Sequence, residues 1–245
     1  MTPTIVLITG ANTGIGFQIV RALSDSLQPY HILLGARSPN KARDAIQAIQ
    51  QEFPTTQSTI APVIIDIEDD TSIQNAYTEI ATHHGRLDVL INNAGASFDT
   101  PATRGTLSER ALWNKTWSVN TTSTQIVTAT FIPLLLKSAN PRLLFLTSGT
   151  ATLAGTDNPA IAVNRPPTAK GWPKPAGPAQ GVPAYRSAKT GLNMLMREWH
   201  RLLRPDGVKV FALSPGYLAT GLGGSPEAMR ALGAGDPVVA GPFEW

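Results

Sequence analysis

Short apolar, β-branched segments alternate along the chain with longer segments of helical periodicity, and this alternation limits the fold more than any other feature. Strands are predicted at residues 5–8, 32–34, 63–65, 89–91, 143–146 and 208–213. Helices are predicted between them, at residues 14–27, 38–53, 69–84, 107–137 and 185–203, with Pro133 interrupting the fourth near its end. Strands and helices of this length that alternate form right-handed crossovers. The chain is therefore predicted to be one α/β domain over residues 1–245, a doubly wound parallel sheet (Rossmann fold).

The composition excludes several classes of function. The 245 residues are 42% hydrophobic and 15% charged, which is typical of a globular domain with a large core. The net charge of +3 comes without a dense run of Lys or Arg, so no nucleic-acid partner is predicted. There are no cysteines, and the four histidines have no ligand spacing, so no disulfide, thiolate or metal site is expected. No apolar window is long enough for a membrane span and no leader peptide is recognised, so a cytoplasmic protein without membrane association is expected.

A glycine-rich turn joins the first strand to the first helix. Glycines here allow the backbone to turn tightly and to approach a pyrophosphate, while the helix N-terminus presents free N–H groups. A glycine triplet alone also suits an ordinary turn, but its position after the first strand of an alternating chain favours dinucleotide binding. The residues of this turn predicted to bind the cofactor are Gly10, Asn12, Thr13, Gly14, Ile15 and Gly16.

The end of the second strand indicates which nicotinamide cofactor is used. A carboxylate there would accept a hydrogen bond from the adenosine ribose and repel a 2′-phosphate. The chain has Arg37 and Ser38 instead, with no acidic residue. A guanidinium forms paired, charge-assisted bonds to phosphate, so NADP(H) is predicted, although an arginine at a strand end can also be simply solvated.

Over about residues 4–220, these and later motifs resemble the short-chain dehydrogenase/reductase family. The glycine turn has the form T-G-x-x-x-G-I-G, and the sequence N-N-A-G at residues 92–95 follows the fourth strand. Residues 185–189 have the form Y-x-x-x-K, and Pro215-Gly216 with Thr220 follows the sixth strand. The resemblance implies that Asp66 contacts the adenine ring, that Asn92, Ala94 and Gly95 shape the adenosine pocket, that Ile15 lies under the nicotinamide ribose, and that Thr220 meets the nicotinamide. It also implies cofactor contacts from Ile67, Pro215 and Gly216.

Tyr185 and Lys189 are the predicted acid–base pair. A free tyrosine has a pKa of about 10 and is a poor catalyst near neutral pH, but a nearby ammonium favours the phenolate. Four residues apart on one helix, the two side chains share a face, although such a pair can also be an ordinary helix-surface pair. By resemblance, Lys189 also binds the nicotinamide ribose, Ser148 hydrogen-bonds the substrate oxygen, and Asn120 supports a water linked to Lys189. A shift in register would put Thr147 or Thr150 in the place of Ser148.

Two regions depart from the family pattern. Ser148 and Tyr185 are 37 positions apart, a much longer spacing than in the family, because of a Pro- and Gly-rich insertion at residues 155–183. The insertion is expected over or beside the substrate pocket, although a surface excursion is the alternative; it leaves a homodimer possible but favours a monomer. The C-terminal segment leaves little room for the family's last helix and strand. The side chains that the insertion would supply to a pocket or lid are Ile161, Val163, Trp172 and Val182.

The predicted function is NADPH-dependent reduction of a ketone or aldehyde of a small organic substrate. The sequence as a whole, including the insertion, resembles fungal reductases linked to secondary metabolism. One alternative is an enzyme of the same fold that acts on an imine or promotes a cyclisation. Another is a dinucleotide-binding regulator without catalysis, which is less favoured because such proteins commonly lack the Tyr or Lys.

Overall fold

The computed structural model describes residues 2–100, 103, 105–174 and 181–241. The strands are β1 (Thr4–Ile8), β2 (Tyr30–Ala36), β3 (Thr59–Ile64), β4 (Val89–Asn92), β5 (Arg142–Leu146) and β6 (Lys209–Leu213). The α-helices are α1 (Gly14–Asp25), α2 (Pro39–Glu52), α3 (Asp70–His84), α4 (Glu109–Trp117), α5 (Ser123–Leu135), α6 (Pro183–Leu203) and α7 (Pro226–Ala231).

All six strands form one parallel sheet in the order β3-β2-β1-β4-β5-β6. The chain builds outward from β1 to β3 on one side and then returns to place β4 on the other side of β1. The loops that follow β1 and β4 therefore diverge and leave a crevice at the carboxyl ends of the strands, where open α/β sheets bind their ligands. The predicted doubly wound sheet is confirmed.

Each face of the sheet has its own apolar core. On one face α1 and α2 cover the sheet through buried residues such as Ile19 and Ile49. On the other face α3, α5 and α6 contribute Ile73, Phe131 and Leu192. Both faces of the inner strands are thus buried, which explains why these strands are continuously apolar in sequence rather than alternating.

The third strand differs most from its prediction. The apolar run at residues 63–65 indicated its position, but β3 begins at Thr59 and ends at Ile64, paired along its whole length with β2. β3 is an edge strand whose first residues are only partly buried, so its beginning carries no apolar signal. Pro62 is compatible with this position because an edge strand leaves one row of N–H groups unpaired.

The long helix predicted at residues 107–137 is divided. A single π-helical turn at Ser118–Thr122 separates α4 from α5 and contains the buried Asn120, while Pro133 lies inside α5. Such π turns are frequent at functional sites. The other helix ends differ by about two residues: α1 ends at Asp25, and α6 begins at Pro183, whose fixed φ suits a first helical turn.

No strand follows β6 in the described part of the chain. After β6 come α7, a single bridge between Leu218 and Gly235, and a short turn at Pro237–Ala240. Gly241 lies against α1, since a Cβ added to it would be 2.7 Å from the carbonyl oxygen of Gln18. Phe211 of β6, an edge strand of the described sheet, is 48% exposed.

The core beside α5 yields a prediction about stability. Phe131 is fully buried and packs edge-on against Tyr77, with ring centroids 5.9 Å apart. Phe131→Ala leaves a cavity there, so we expect the free energy of unfolding to fall by about 3–5 kcal/mol in denaturant titrations. Trp172→Ala is the control, because Trp172 is 86% exposed, and its effect should stay within about 0.5 kcal/mol. Equal effects of the two substitutions would contradict this description of the core.

Candidate active site

A cleft of about 680 Å³ lies at the carboxyl ends of the strands, where β1 and β4 diverge. It is formed by the loops after β1, β3, β4 and β6, together with the end of β5 and one face of α6. Its lining contains most of the residues singled out from the sequence, namely Gly10, Asn12, Thr13, Gly14, Ile15, Arg37, Asp66, Ile67, Ala94, Gly95, Tyr185, Lys189, Pro215 and Thr220.

The turn after β1 is built for close approach of a ligand. Gly10 and Gly14 have φ angles of +63° and +56°, which residues with a side chain rarely adopt. The N-cap of α1, Thr13, makes no side-chain hydrogen bond to the helix, so the first N–H groups of α1 receive no side-chain cap. N–H groups at a helix N-terminus bind phosphate well, so this turn fits the pyrophosphate of a dinucleotide.

The loop after β4 clamps this turn in place, a role that the sequence did not reveal. The Asn93 side-chain nitrogen donates hydrogen bonds to the carbonyl oxygens of Thr9 (2.8 Å) and Gly10 (3.1 Å). In return the Thr9 hydroxyl accepts from the backbone N–H groups of Asn93 and Ala94, both at 3.1 Å. The turn is thus held by side-chain hydrogen bonds from both loops.

Six of the predicted site residues do not line the cleft, and three of these have a clear structural role. Gly16 packs against the turn itself, because a Cβ there would be 2.5 Å from the Asn93 side-chain nitrogen. The Asn92 side chain is buried and donates to the Thr128 hydroxyl at 3.0 Å. Ser38 caps α2 by accepting from the backbone N–H of Lys41. These three support the elements that carry the site.

The remaining three are Asn120, Ser148 and Gly216. The Asn120 side chain donates to the carbonyl oxygens of Ala96 (2.7 Å) and Thr116 (2.8 Å), which fixes it inside the π turn. A Cβ added to Gly95 would be 2.7 Å from the Asn120 side-chain oxygen and 3.3 Å from Lys189 Nζ, so Asn120 and Lys189 meet at this glycine. Gly216, in the loop after β6, has a φ of +96° and is surrounded by open space.

The structure distinguishes the three residues at the end of β5 that were candidates for holding the substrate oxygen, namely Thr147, Ser148 and Thr150. Ser148 Oγ lies 2.9 Å from Thr150 Oγ1 and accepts from the Thr150 backbone N–H, so both hydroxyls of this pair are engaged with one another. Thr147 does line the cleft, but its hydroxyl donates to the Asn193 side-chain oxygen at 2.6 Å. Reorientation of the Ser148 hydroxyl away from Thr150 would free it for a ligand.

Tyr185 and Lys189 lie on the cleft face of α6 with an electrostatic balance opposite to the predicted one. Burial, reinforced by the negative charge of Asp99, raises the pKa of Tyr185 above its ordinary value. Burial lowers the pKa of Lys189 to about 8. The expectation that Lys189 lowers the pKa of the phenol is therefore wrong for the ligand-free protein. Lys189 Nζ donates to the Leu146 carbonyl oxygen at 2.8 Å and lies 5.7 Å from the Tyr185 ring centroid. Burial disfavours the charged form of each side chain, and this effect is the largest cause of both pKa shifts.

Arg37 stands at the opposite end of the cleft and is exposed. In the described parts of the chain, three ion pairs are present and none involves Arg37. Its guanidinium is thus available to an anionic ligand. Within the same residues there is no cluster of three or more His, Asp or Glu side chains that would hold a metal ion. No described helix is both long enough and apolar enough to cross a membrane.

No described residue of the insertion lines the cleft. None of the four side chains expected to form a pocket or lid lines it, and Trp172 is 86% exposed. The physical reason is Arg186, next to Tyr185, which the sequence did not single out. Its guanidinium donates to the carbonyl oxygens of Thr150 (2.8 Å) and Val163 (3.3 Å) and to the Asn164 side chain (2.6 Å). Part of the predicted insertion, residues 175–180, lies outside the described residues.

Comparisons with known proteins agree with this geometry. The family model described as short chain dehydrogenase matches residues 4–160 and 176–231. Short-chain dehydrogenase/reductase eupG of Phoma sp is 48% identical over 250 residues, covering 98% of this chain and 87% of that protein. Short-chain dehydrogenase/reductase tropE of Talaromyces stipitatus is 43% identical over 224 residues, covering 91% and 82%. The structure of an NADPH-bound carbonyl reductase from chicken fatty liver superposes with a TM-score of 0.71 at 24% identity, covering 92% of this chain and 84% of that one.

The buried lysine gives a prediction about pH. Because the pKa of Lys189 is about 8 in the folded protein and 10.5 is the ordinary value, the unfolded chain binds more protons between these values. Stability of the ligand-free protein should therefore rise with pH in this window. Lys189→Met has no charge to bury, so the variant should be more stable than wild type at pH 7. We expect this difference in the free energy of unfolding to shrink by about 2 kcal/mol between pH 7 and pH 10. Urea titrations of both proteins at the two pH values measure it, and a difference independent of pH would contradict the burial of this charge.

Proposed function

The chain belongs to the short-chain dehydrogenase/reductase family of oxidoreductases, and on that premise we propose that it reduces a ketone or aldehyde of a small organic molecule with NADPH. Tyr185 donates the proton to the carbonyl oxygen. The observation that carries this proposal is the position of Tyr185 and Lys189 in the same cleft as the glycine-rich turn after β1. A proton donor, a cation and a dinucleotide-binding turn thus share one space.

The surroundings of Tyr185 keep the phenol in the neutral form that reduction would use. Oxidation of an alcohol requires a phenolate that accepts a proton, whereas reduction requires a neutral phenol that donates one. Burial and the charge of Asp99 both raise the pKa of Tyr185 and keep the phenol neutral in the ligand-free protein.

The residues present fit a nicotinamide dinucleotide. The glycine-rich turn and the N–H groups of α1 would hold the pyrophosphate, and Asp66 and Ile67 line the cleft where an adenine ring would bind. When bound, the cofactor supplies the hydride. Lys189 would donate to the nicotinamide ribose, and the exposed Arg37 would bind a 2′-phosphate, which favours NADPH over NADH.

Substrate binding is assigned to the remaining wall of the cleft. That wall includes Phe98 from the loop after β4 and Leu222 from the loop after β6, so it is suited to a fairly apolar organic molecule. Ser148 would turn its hydroxyl from Thr150 to the carbonyl oxygen and hold it beside the Tyr185 phenol. Asn120, which meets Lys189 at Gly95, would keep the lysine connected to solvent protons through a water.

Replacement of the phenol tests this assignment. In Tyr185→Phe the hydroxyl that protonates the carbonyl oxygen is absent, so we expect kcat for NADPH-dependent reduction of a carbonyl substrate to fall by about 10²–10⁴-fold. NADPH oxidation under saturating conditions measures the loss. Tyr217→Phe is the matched control, because Tyr217 is 55% exposed and outside the cleft lining. Wild-type kcat in Tyr185→Phe would rule out the proposed mechanism.

Cofactor preference is tested at the other end of the cleft. Arg37→Ala removes the charge assigned to the 2′-phosphate, and one charge-assisted contact contributes about 1.5–3 kcal/mol. We therefore expect kcat/KM for NADPH to fall by about 10–100-fold while the value for NADH changes little. Arg43→Ala on α2 removes the same charge from an exposed position outside the cleft lining and should leave both values unchanged. An unchanged ratio in Arg37→Ala would exclude Arg37 as the phosphate ligand.

A further inference from the structure

Asp99 is a buried carboxylate beside the proposed catalytic residues. It lies in the loop after β4 and is 4% exposed. One carboxylate oxygen accepts hydrogen bonds from the backbone N–H groups of Ala184 (2.7 Å) and Tyr185 (3.3 Å). The other oxygen accepts from the Ser97 hydroxyl at 3.0 Å. In the described residues, no Lys or Arg forms an ion pair with it.

These hydrogen bonds cap α6 from a distant part of the chain. The local N-cap of α6 is Val182, which has no side-chain acceptor, and Pro183 at the first position has no N–H group. The next two N–H groups of the helix, at Ala184 and Tyr185, would lack an intrahelical partner. Asp99, 85 positions earlier in the sequence, provides the acceptor, and its negative charge complements the positive end of the helix dipole.

The same loop also contacts the dinucleotide turn, Asn120 and Lys189. Ala94 packs against Gly10 of the dinucleotide turn, at 3.1 Å from the position of a Cβ on that glycine. Gly95 is the point where the side chains of Asn120 and Lys189 meet. Asp99 lies four residues after Gly95 in the same loop, and its carboxylate accepts a hydrogen bond from the backbone N–H of Tyr185. One short segment thus joins the cofactor side of the cleft to the proton donor.

We propose that Asp99 is a positioning residue, whose carboxylate fixes the first turn of α6 so that Tyr185 is held at a set distance from the cofactor. This inference rests on the proposed function, because it assigns no purpose to Asp99 unless Tyr185 transfers the proton. It differs from a purely structural cap in its consequence. Loss of the cap should affect the chemical step more strongly than cofactor binding, since the dinucleotide turn is held separately by Thr9 and Asn93.

The test compares Asp99→Ala with Asp69→Ala at saturating NADPH and substrate. Asp69 caps α3 in the same way, accepting from the N–H groups of Thr71 and Ser72, but it lies outside the cleft lining. A misplacement of about 1 Å can reduce a rate 10²-fold, so we expect kcat of Asp99→Ala to fall by about 10–100-fold. Its Kd for NADPH and kcat of Asp69→Ala should each stay within about 3-fold of wild type. An Asp99→Ala protein with wild-type kcat, or with only its NADPH affinity reduced, overturns the proposal.

Two further variants keep the test decisive. Asp99→Asn retains an oxygen acceptor in the same place but has no charge, so its kcat should be within about 5-fold of wild type. If the negative charge itself were required, Asp99→Asn would be as impaired as Asp99→Ala. If Asp99→Ala does not fold, Asp99→Glu moves the carboxylate by one methylene and should lower kcat at least about 10-fold; wild-type kcat in that variant overturns the proposal. Tyr185→Phe measured in the same assay separates the two hypotheses. If it retains activity, the proposed function fails, whereas if only the Asp99 variants retain activity, the positioning role alone fails.

Discussion

The hydrogen bonds between the loops after β1 and β4 are the interactions on which the site depends. These loops follow two paired neighbouring strands at the point where the strand order reverses, and beyond the strand ends side chains join them. The Asn93 side chain and the Thr9 hydroxyl join them with four hydrogen bonds, between 2.8 and 3.1 Å long, to backbone groups. The crevice that a doubly wound sheet leaves open therefore has rigid walls on its cofactor side.

Desolvation is the second constraint, and it sets the chemical state of the catalytic pair. Both Tyr185 and Lys189 shift toward their neutral forms because burial disfavours either charge. A neutral phenol is the form needed for proton donation, whereas a lysine with a pKa of about 8 is poised to lose its proton. Burial of the Lys189 charge destabilises the fold, and Lys189 is also the residue proposed to contact the cofactor. Functional sites commonly carry such destabilising features.

Much of the fold could be predicted from the sequence because each inner strand is apolar on both faces and each helix has its own periodicity. β3 was misplaced because an edge strand begins among partly exposed residues and gives no apolar signal. The π turn around Asn120 was missed because its periodicity differs from that of an α-helix by only one residue over one turn. The predicted direction of the Tyr185 pKa shift was wrong, because residue spacing indicates proximity to Lys189 but not how deeply the two side chains are buried.

Long-range side-chain contacts account for what the sequence could not reveal at the site. Asp99 and Arg186 are ordinary polar residues in the chain, and their partners lie 85 and 36 positions away, respectively. Each binds near Tyr185 from a different side: Asp99 holds the backbone at the start of α6, and Arg186 holds the segment that follows β5.

The position of Arg186 within the Y-x-x-x-K motif also explains how the fold accommodates a long insertion beside Tyr185. On the helix, consecutive residues point in directions about 100° apart, so Tyr185 can face the cleft while Arg186 faces the inserted segment. The guanidinium bonds to backbone and side-chain oxygens of that segment hold its described part outside the cleft. Its extra length therefore adds no described side chain to the cleft, whose wall beyond the cofactor turn comes instead from the loops after β4 and β6. The wall of the cleft that the proposed substrate would contact therefore comes from described residues outside the insertion.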